Sequence, residues 1–285
     1  MSNNIVRNKL SKNITSLSLD KDEVKKILML LQERADAACE FEYKKIDAVT
    51  DTGYDKELAR SNLRACSILK VTLAGQEDKE LFGSIDEVFT SMSFPEKVKT
   101  VYVHSEIPYK SQFNYYPENF FELLIDFSKP QVFDFTLRPS DKTPNNSFFR
   151  VEGSNNTWVN GVFHEIDAFF SDKSSKFSTA HKGNIYDFLL WFFGIPVGFW
   201  ACYKFSHIID KNLPDHPFLE SALFVYVLFI SLIIIRILFQ YFRWVYPMIE
   251  YRSKKERSIG HQAALLSITL GMIGKLIYDV VKEFF

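Results

Sequence analysis

The side chains able to do chemistry are few and scattered. His104 stands two residues before Glu106, and Asp126 and Asp134 sit in a Phe-rich stretch; this is the densest titratable grouping in the 285-residue chain. Hydrolytic or metal-assisted chemistry needs several such groups to converge, and the spacing gives no sign of convergence. The chain contains no phosphate-cradling glycine loop, no Gly-x-Ser-x-Gly elbow and no His-Glu-x-x-His run. Cys39, Cys66 and Cys202 are too widely spaced for a Cys-x-x-Cys pair or a disulfide framework, which points to a reducing compartment. His164 falls on a helical pattern and reads as a boundary residue of a packed helix. The expectation is a non-enzymatic protein with no cofactor and no bound metal.

Binding is better supplied than catalysis. Phe113, Tyr115 and Tyr116, followed by Phe120, Phe121, Phe133 and Phe135, make a candidate binding surface, since flat rings give contact area at low entropic cost. They could line a groove for a base, a peptide or a lipid; core packing is the competing use. Arg252, Lys254, Lys255 and Arg257 form a basic cluster suited to anionic headgroups or simply to fixing membrane topology. With 34 basic against 35 acidic residues the net charge is −1, so no nucleic-acid partner is expected.

The elements that must carry these residues divide into two kinds. Up to about Lys182 the chain has the mixed composition of a soluble domain, whereas Ile185 to Tyr246 is dense in Leu, Ile, Val, Phe and Trp. Crossing a hydrocarbon layer of about 30 Å takes roughly 20 helical residues. Residues 185–206 are uncharged from Phe188 to Tyr203, with Trp191 and Trp200 near the two boundaries and Gly194, Pro196 and Gly198 implying a kink or a close helix contact. Residues 218–241 carry only Glu220 and Arg236 near their ends and form the stronger candidate. His207 to Pro217 reads as a tight connection. Arg243, Trp244, Lys254 and Lys255 join Trp191 and Trp200 as expected membrane-interface residues. Basic residues flank the pair while the connection holds only Lys211 against Asp210 and Asp215, so both long ends should be cytoplasmic. No apolar run near Met1 suggests a signal peptide, and the glycosylation triplets at Asn13, Asn145 and Asn155 then read as accidental.

Residues 262–285 are ambiguous. Leu266, Leu270, Ile273, Ile277, Val280 and Phe284 share one helical face, and Ser267, Gly271, Gly274 and Lys275 fall on the other. An interfacial helix, a third span and a helix docked on the soluble domain all fit; in the second case the Ser267, Gly271, Gly274 and Lys275 face is a candidate pore or oligomer surface.

The soluble part reads as an α+β domain over residues 20–172, preceded by a loose tail at 1–19 and followed by a polar tether at 173–184. Asp20 and Glu23 suggest a capping box, and Val24, Ile27, Leu28, Leu31, Ala35 and Ala38 recur at helical spacing up to about Ile46. Leu63 to Ala74 alternates as a strand, turning through residues 75–79 into Glu80–Ser84. A short helix over 85–92, strands at 98–104, 120–127 and 148–151, a loop from Ser128 to Asn146 and a helix capped by Ser154 or Asn155 complete it. The reading is a cytoplasmic α+β domain, a two-helix transmembrane hairpin and a C-terminal amphipathic helix. Its function is binding or sensing of a protein or small ligand at the bilayer. The alternative is a membrane-perturbing effector of a bacterial defence or toxin system, in which copies associate and the C-terminal helix opens a pore.

Overall fold

A computed structural model describes residues 6–50, 55–75, 79–133, 143–175, 181, 183–213, 216–253, 260–268 and 271. The chain divides into two compact units: residues 1–128, 145–175 and 249–255, and residues 129–144, 176–248 and 256–285.

The first unit is the α+β domain. Its elements run β1 (Asn8–Asn13), β2 (Leu17–Leu19), α1 (Lys21–Asp47), α2 (Lys56–Ser67), β3 (Lys70–Gly75), β4 (Glu80–Ser84), α3 (Ile85–Thr90), β5 (Val98–His104), α4 (Ile107–Phe113), β6 (Asn119–Asp126), β7 (Phe148–Gly153) and α5 (Asn156–Asp172), and β8 (Ile249–Tyr251) joins from beyond the apolar helices. Six strands form one antiparallel sheet in the order β1-β7-β6-β5-β3-β4. Val71, Leu73, Val101, Val103, Phe121, Leu123, Ile125, Phe149 and Val151 are the buried alternate residues of its strands, the period-2 pattern of a sheet with one face on the core. Helices α1, α3 and α5 pack against the sheet. Helix α1 begins with the expected capping box, in which the Asp20 carboxylate accepts the Glu23 N–H and the Glu23 carboxylate accepts the Asp20 N–H.

Several expectations need correction. Of the expected loose tail, residues 6–19 are ordered instead: Asn8–Asn13 is an edge strand on β7, and Leu17–Leu19 is buried and pairs in parallel with Ile249–Tyr251; residues 1–5 lie outside the described residues. Polar composition misled here, because an edge strand needs only one apolar face and β1 points just Leu10 towards its partner Val151. Leu63–Ser67 does not open a strand; it ends helix α2, capped by Asp55, and the strand starts at Lys70. Helix α4 follows β5 where the sequence pattern gives no helix. The start of the supposed tether is fastened to the domain: the Lys173 carbonyl accepts the Ser18 N–H at 2.9 Å, and the Ser175 carbonyl accepts the Ser16 hydroxyl at 3.0 Å.

Among the described residues the second unit contains two helices long and apolar enough to cross a membrane, Asn184–Asn212 and Pro217–Val245. Both outrun the expected spans, so the connection is shorter than His207 to Pro217. The first has a π-helical turn at Leu190–Gly194, directly before Pro196; proline lacks the N–H that regular helix geometry would use, and a widened turn is a usual accommodation. Residues 260–268 are helical, and residues 272–285 lie outside the described residues.

Candidate functional site

The two apolar helices pack antiparallel through glycine. A Cβ on Gly198 would lie 2.6 Å from Leu228, and Gly194 faces Leu232 and Ile235, so the Gly-x-x-x-Gly pair of the first helix is filled by the second. The Cys202 thiol reaches the Phe224 carbonyl at 3.4 Å, and Tyr186 and Phe239 rings lie 5.1 Å apart at the other end. This register sets Asp187 within about a turn of the level of Arg236, and Lys204 near that of Glu220. The uncharged stretch between those levels, Phe188 to Tyr203 on one helix, rises about 24 Å. Trp191 stands at one end of it; Trp200, with the Lys204 ammonium 5.7 Å from its ring, stands at the other, at about the level that the register gives Tyr226. All three rings are exposed. Arg243 departs from expectation, being 2% exposed and stacked on the Phe239 ring at 4.4 Å rather than reaching outward. Trp244 is half-buried, and Lys254 and Lys255 lie outside the described residues.

Where the chain leaves and returns to the α+β domain, one carboxylate gathers both flanks. Glu23, at the start of α1, pairs with Lys173 at 3.2 Å and Arg252 at 2.5 Å while closing the capping box. Arg252 also donates its backbone N–H to the Leu19 carbonyl at 2.7 Å, extending the β2–β8 pairing. Partial burial pushes the Glu23 carboxyl up, but the Asp20 N–H, Arg252 and Lys173 outweigh it and hold it below the usual carboxylate range. The same contact with Glu23, helped by Asp172, raises Lys173.

The opposite end of α1 carries the cleft. Ile46, Val49, Ala59, Leu63 and Phe113 wall a space of about 340 Å³, with Glu42, Lys45, Asn62 and Tyr115 at its polar side. Glu42 is 1% exposed, yet its carboxylate is fully engaged: it accepts the Tyr115 hydroxyl, the Lys45 ammonium at 2.6 Å and the Glu118 N–H at 2.7 Å. A buried carboxylate survives only with such compensation. Tyr115 arrives there because Asn114, at φ 49°, ends α4 in the left-handed conformation that asparagine tolerates, turning the chain back so that the Tyr115 N–H meets the Tyr109 carbonyl. Of the candidate binding residues, the structure therefore brings Phe113 and Tyr115 into one cleft. Tyr116 stays outside it, exposed beneath the Lys110 ammonium. Sequence reasoning missed Glu42; its one signal is a charged residue on the stripe that otherwise reads Leu31, Ala35, Ala38 and Ile46.

His104 and Glu106 do acquire neighbours. On the sheet face away from the core, Glu122 accepts the Tyr102 hydroxyl at 3.0 Å and pairs with Arg150, and His104 stacks on Phe120. The His104 Nδ1 accepts the Glu106 N–H at 3.2 Å, and burial lowers its pKa against the opposing pull of Glu122 and Glu106. Each group serves its neighbour. Among the described residues no group of His, Cys, Asp and Glu is placed to hold a metal ion. Cys39 and Cys66 are buried thiols, and burial pushes both above the usual thiol range. Of the proposed pore face, Ser267 and Gly271 are exposed; Gly274 and Lys275 lie outside the described residues. Comparison with protein-family models, curated proteins and solved structures gave no match.

Proposed function

We propose that the protein is an integral membrane protein whose two-helix hairpin holds an α+β binding or sensing domain on the cytoplasmic face, with the cleft beside Phe113 and Tyr115 as its place for a small ligand or a partner's side chain. The observation that carries the membrane reading is the bareness of the apolar helices: only 17% and 11% of their most apolar windows are buried within the chain. In water that area would drive aggregation, whereas acyl chains cover it at no cost. The hairpin form draws support from the domain, which includes both residues 145–175 and residues 249–255. A folded domain does not straddle a bilayer, so both flanks must share a side, and the excess of Lys and Arg next to the helix ends favours the cytoplasm.

Binding is favoured over catalysis because the buried carboxylates Glu42 and Glu122 are each engaged by neighbouring groups, while the cleft keeps an apolar wall open. Alkaline carbonate washing of membranes from expressing cells should leave the full-length chain in the pellet; release into the supernatant would contradict the membrane reading. Native mass spectrometry of the detergent-solubilised chain tests the cleft: a co-purifying small molecule should be lost in Ala59→Arg, which fills it, and equal retention would remove the cleft from the proposal.

A further inference from the structure

The helix of residues 260–268 is fastened at its start and exposes apolar side chains further along. The Tyr241 hydroxyl lies 2.8 Å from His261 Nδ1, the His261 ring stands edge-on to Trp244 at 5.3 Å, and the Gln262 amide donates to the Val245 carbonyl at 3.1 Å. The Lys129 ammonium sits 5.0 Å from the Trp244 ring centre. Further along, Leu266 and Ile268 are 57% and 63% exposed, and Ala263, Ala264 and Ser267 are exposed with them.

The depth of that fastening point follows from the second apolar helix. Its uncharged stretch ends at Arg236, and Tyr241 lies five residues beyond, a rise of about 8 Å. A headgroup layer is about 5–8 Å thick on each side of the hydrocarbon. A Trp, a Tyr, a His and a Lys gathered at this level match the amphipathic chemistry of the interface. The short helix therefore starts within the headgroup layer, and Leu266, on the apolar stripe read from the sequence, is exposed.

We propose that residues 260–268 lie along the leaflet from which the hairpin emerges, with the Leu266 side of the helix immersed among acyl chains: the occupant of this face is lipid. Lys254, Lys255 and Arg257, in the connection just before it, supply positive charge for anionic headgroups. This inference rests on the membrane reading, and its test separates the two.

The full chain with Cys202→Ser is reconstituted into vesicles of zwitterionic and anionic phospholipid, with and without bromine on the upper acyl carbons. A fluorophore is attached to Leu266→Cys, to Phe229→Cys within the second span, or to Ser253→Cys as the aqueous reference. Brominated lipid should cost the 266 probe about half its emission, as expected of a side chain seated in the interface, and leave the 253 probe unchanged. Quenching at 229 with none at 266 overturns this inference alone; no quenching at either overturns the membrane reading itself. Labelling of Phe284→Cys by an impermeant maleimide from the side opposite Ser253→Cys would make the segment a third span and also overturn it.

Discussion

The Glu23 carboxylate meets the Arg252 guanidinium across 229 residues of sequence, joining the start of α1 to the chain just after its second apolar helix. Lys173, just before the first, shares the same carboxylate. The two segments of the domain that flank the hairpin in sequence are thus tied to each other by a residue that also caps the domain's longest helix. Glu23→Gln keeps the side-chain shape and part of the cap but discharges both pairs. Amide exchange in β8 of the detergent-solubilised chain should accelerate about threefold to tenfold, with the core strands β5 and β6 unchanged. Equal acceleration throughout the sheet would mean that Glu23 serves global stability instead.

This fastening has a pH window with two edges. The Glu23 pKa is lowered in the folded chain, so its contribution is complete above the unfolded carboxylate value, about 4.3, and is lost as pH falls through the depressed folded value. The Lys173 pKa is raised, so its contribution is complete below about 10.4 and lost as pH rises through the elevated folded value. Protection of β8 amides, corrected for intrinsic exchange, should be level between those limits and fall outside them. A decline centred near neutrality would point to a different group.

His181 supplies a contrasting case. It is 3% exposed, with Nε2 at 2.7 Å from the Tyr246 carbonyl and Nδ1 at 2.9 Å from the Thr143 hydroxyl. A carbonyl only accepts, so Nε2 carries the proton and Nδ1 accepts from Thr143. Burial lowers its pKa, the Tyr246 bond opposes this and Arg243 adds to it. The unfolded chain therefore takes up the proton first, and the contribution of His181 is complete above about 6.5 and declines as pH falls from there towards the lowered folded value. His181→Gln should flatten the thermal midpoint of the detergent-solubilised chain between pH 5 and 7 as an order-of-magnitude window; an unaltered slope would place the titration elsewhere.

What the sequence made legible was whatever local composition determines. The two apolar helices stand out because some fifteen consecutive residues carry no charge, and α1 stands out because Asp20 and Glu23 precede a regular stripe. The β3–β4 pair shows as alternation around a turn. The misread parts depend on partners far away in the chain. Asn8–Asn13 is polar and becomes a strand only because β7 offers an edge, and Leu17–Leu19 is three residues long and pairs with a segment beyond both apolar helices. The cleft is half legible: Phe113 and Tyr115 stand out as rings, but the Glu42 carboxylate that Tyr115 meets lies 73 residues from it. Lys173 and Arg252 read as topology-setting charges, and nothing local reveals that they share Glu23.

Tyr115→Phe isolates the polar side of the cleft. It removes the hydroxyl that Glu42 accepts while keeping the ring, leaving a buried carboxylate with Lys45 and the Glu118 N–H. Urea unfolding of the solubilised chain should show a loss of about 1–3 kcal/mol. Tyr116→Phe, at an exposed ring, should change stability by less than about 0.5 kcal/mol. Equal effects would mean that the buried hydroxyl contributes nothing specific.

The glycine contact between the apolar helices gives a graded test. Gly198→Ala needs only the flexible end of Leu228 to swing aside, because the 2.6 Å approach is to its terminal methyl. Gly198→Ile cannot be accommodated that way and must part the helices, lowering the thermal midpoint in detergent by on the order of 5 °C. If isoleucine is tolerated as well as alanine, the helices do not pack through this face.

The most direct measurement is sidedness in sealed, uniformly oriented vesicles, using an impermeant maleimide on single cysteines in the Cys202→Ser background. Met92→Cys, fully exposed in the domain, and Ser253→Cys, after the second apolar helix, should label from one side, and Lys211→Cys, at the end of the first apolar helix, only from the other. Labelling of all three from the same side would mean that neither helix crosses the bilayer.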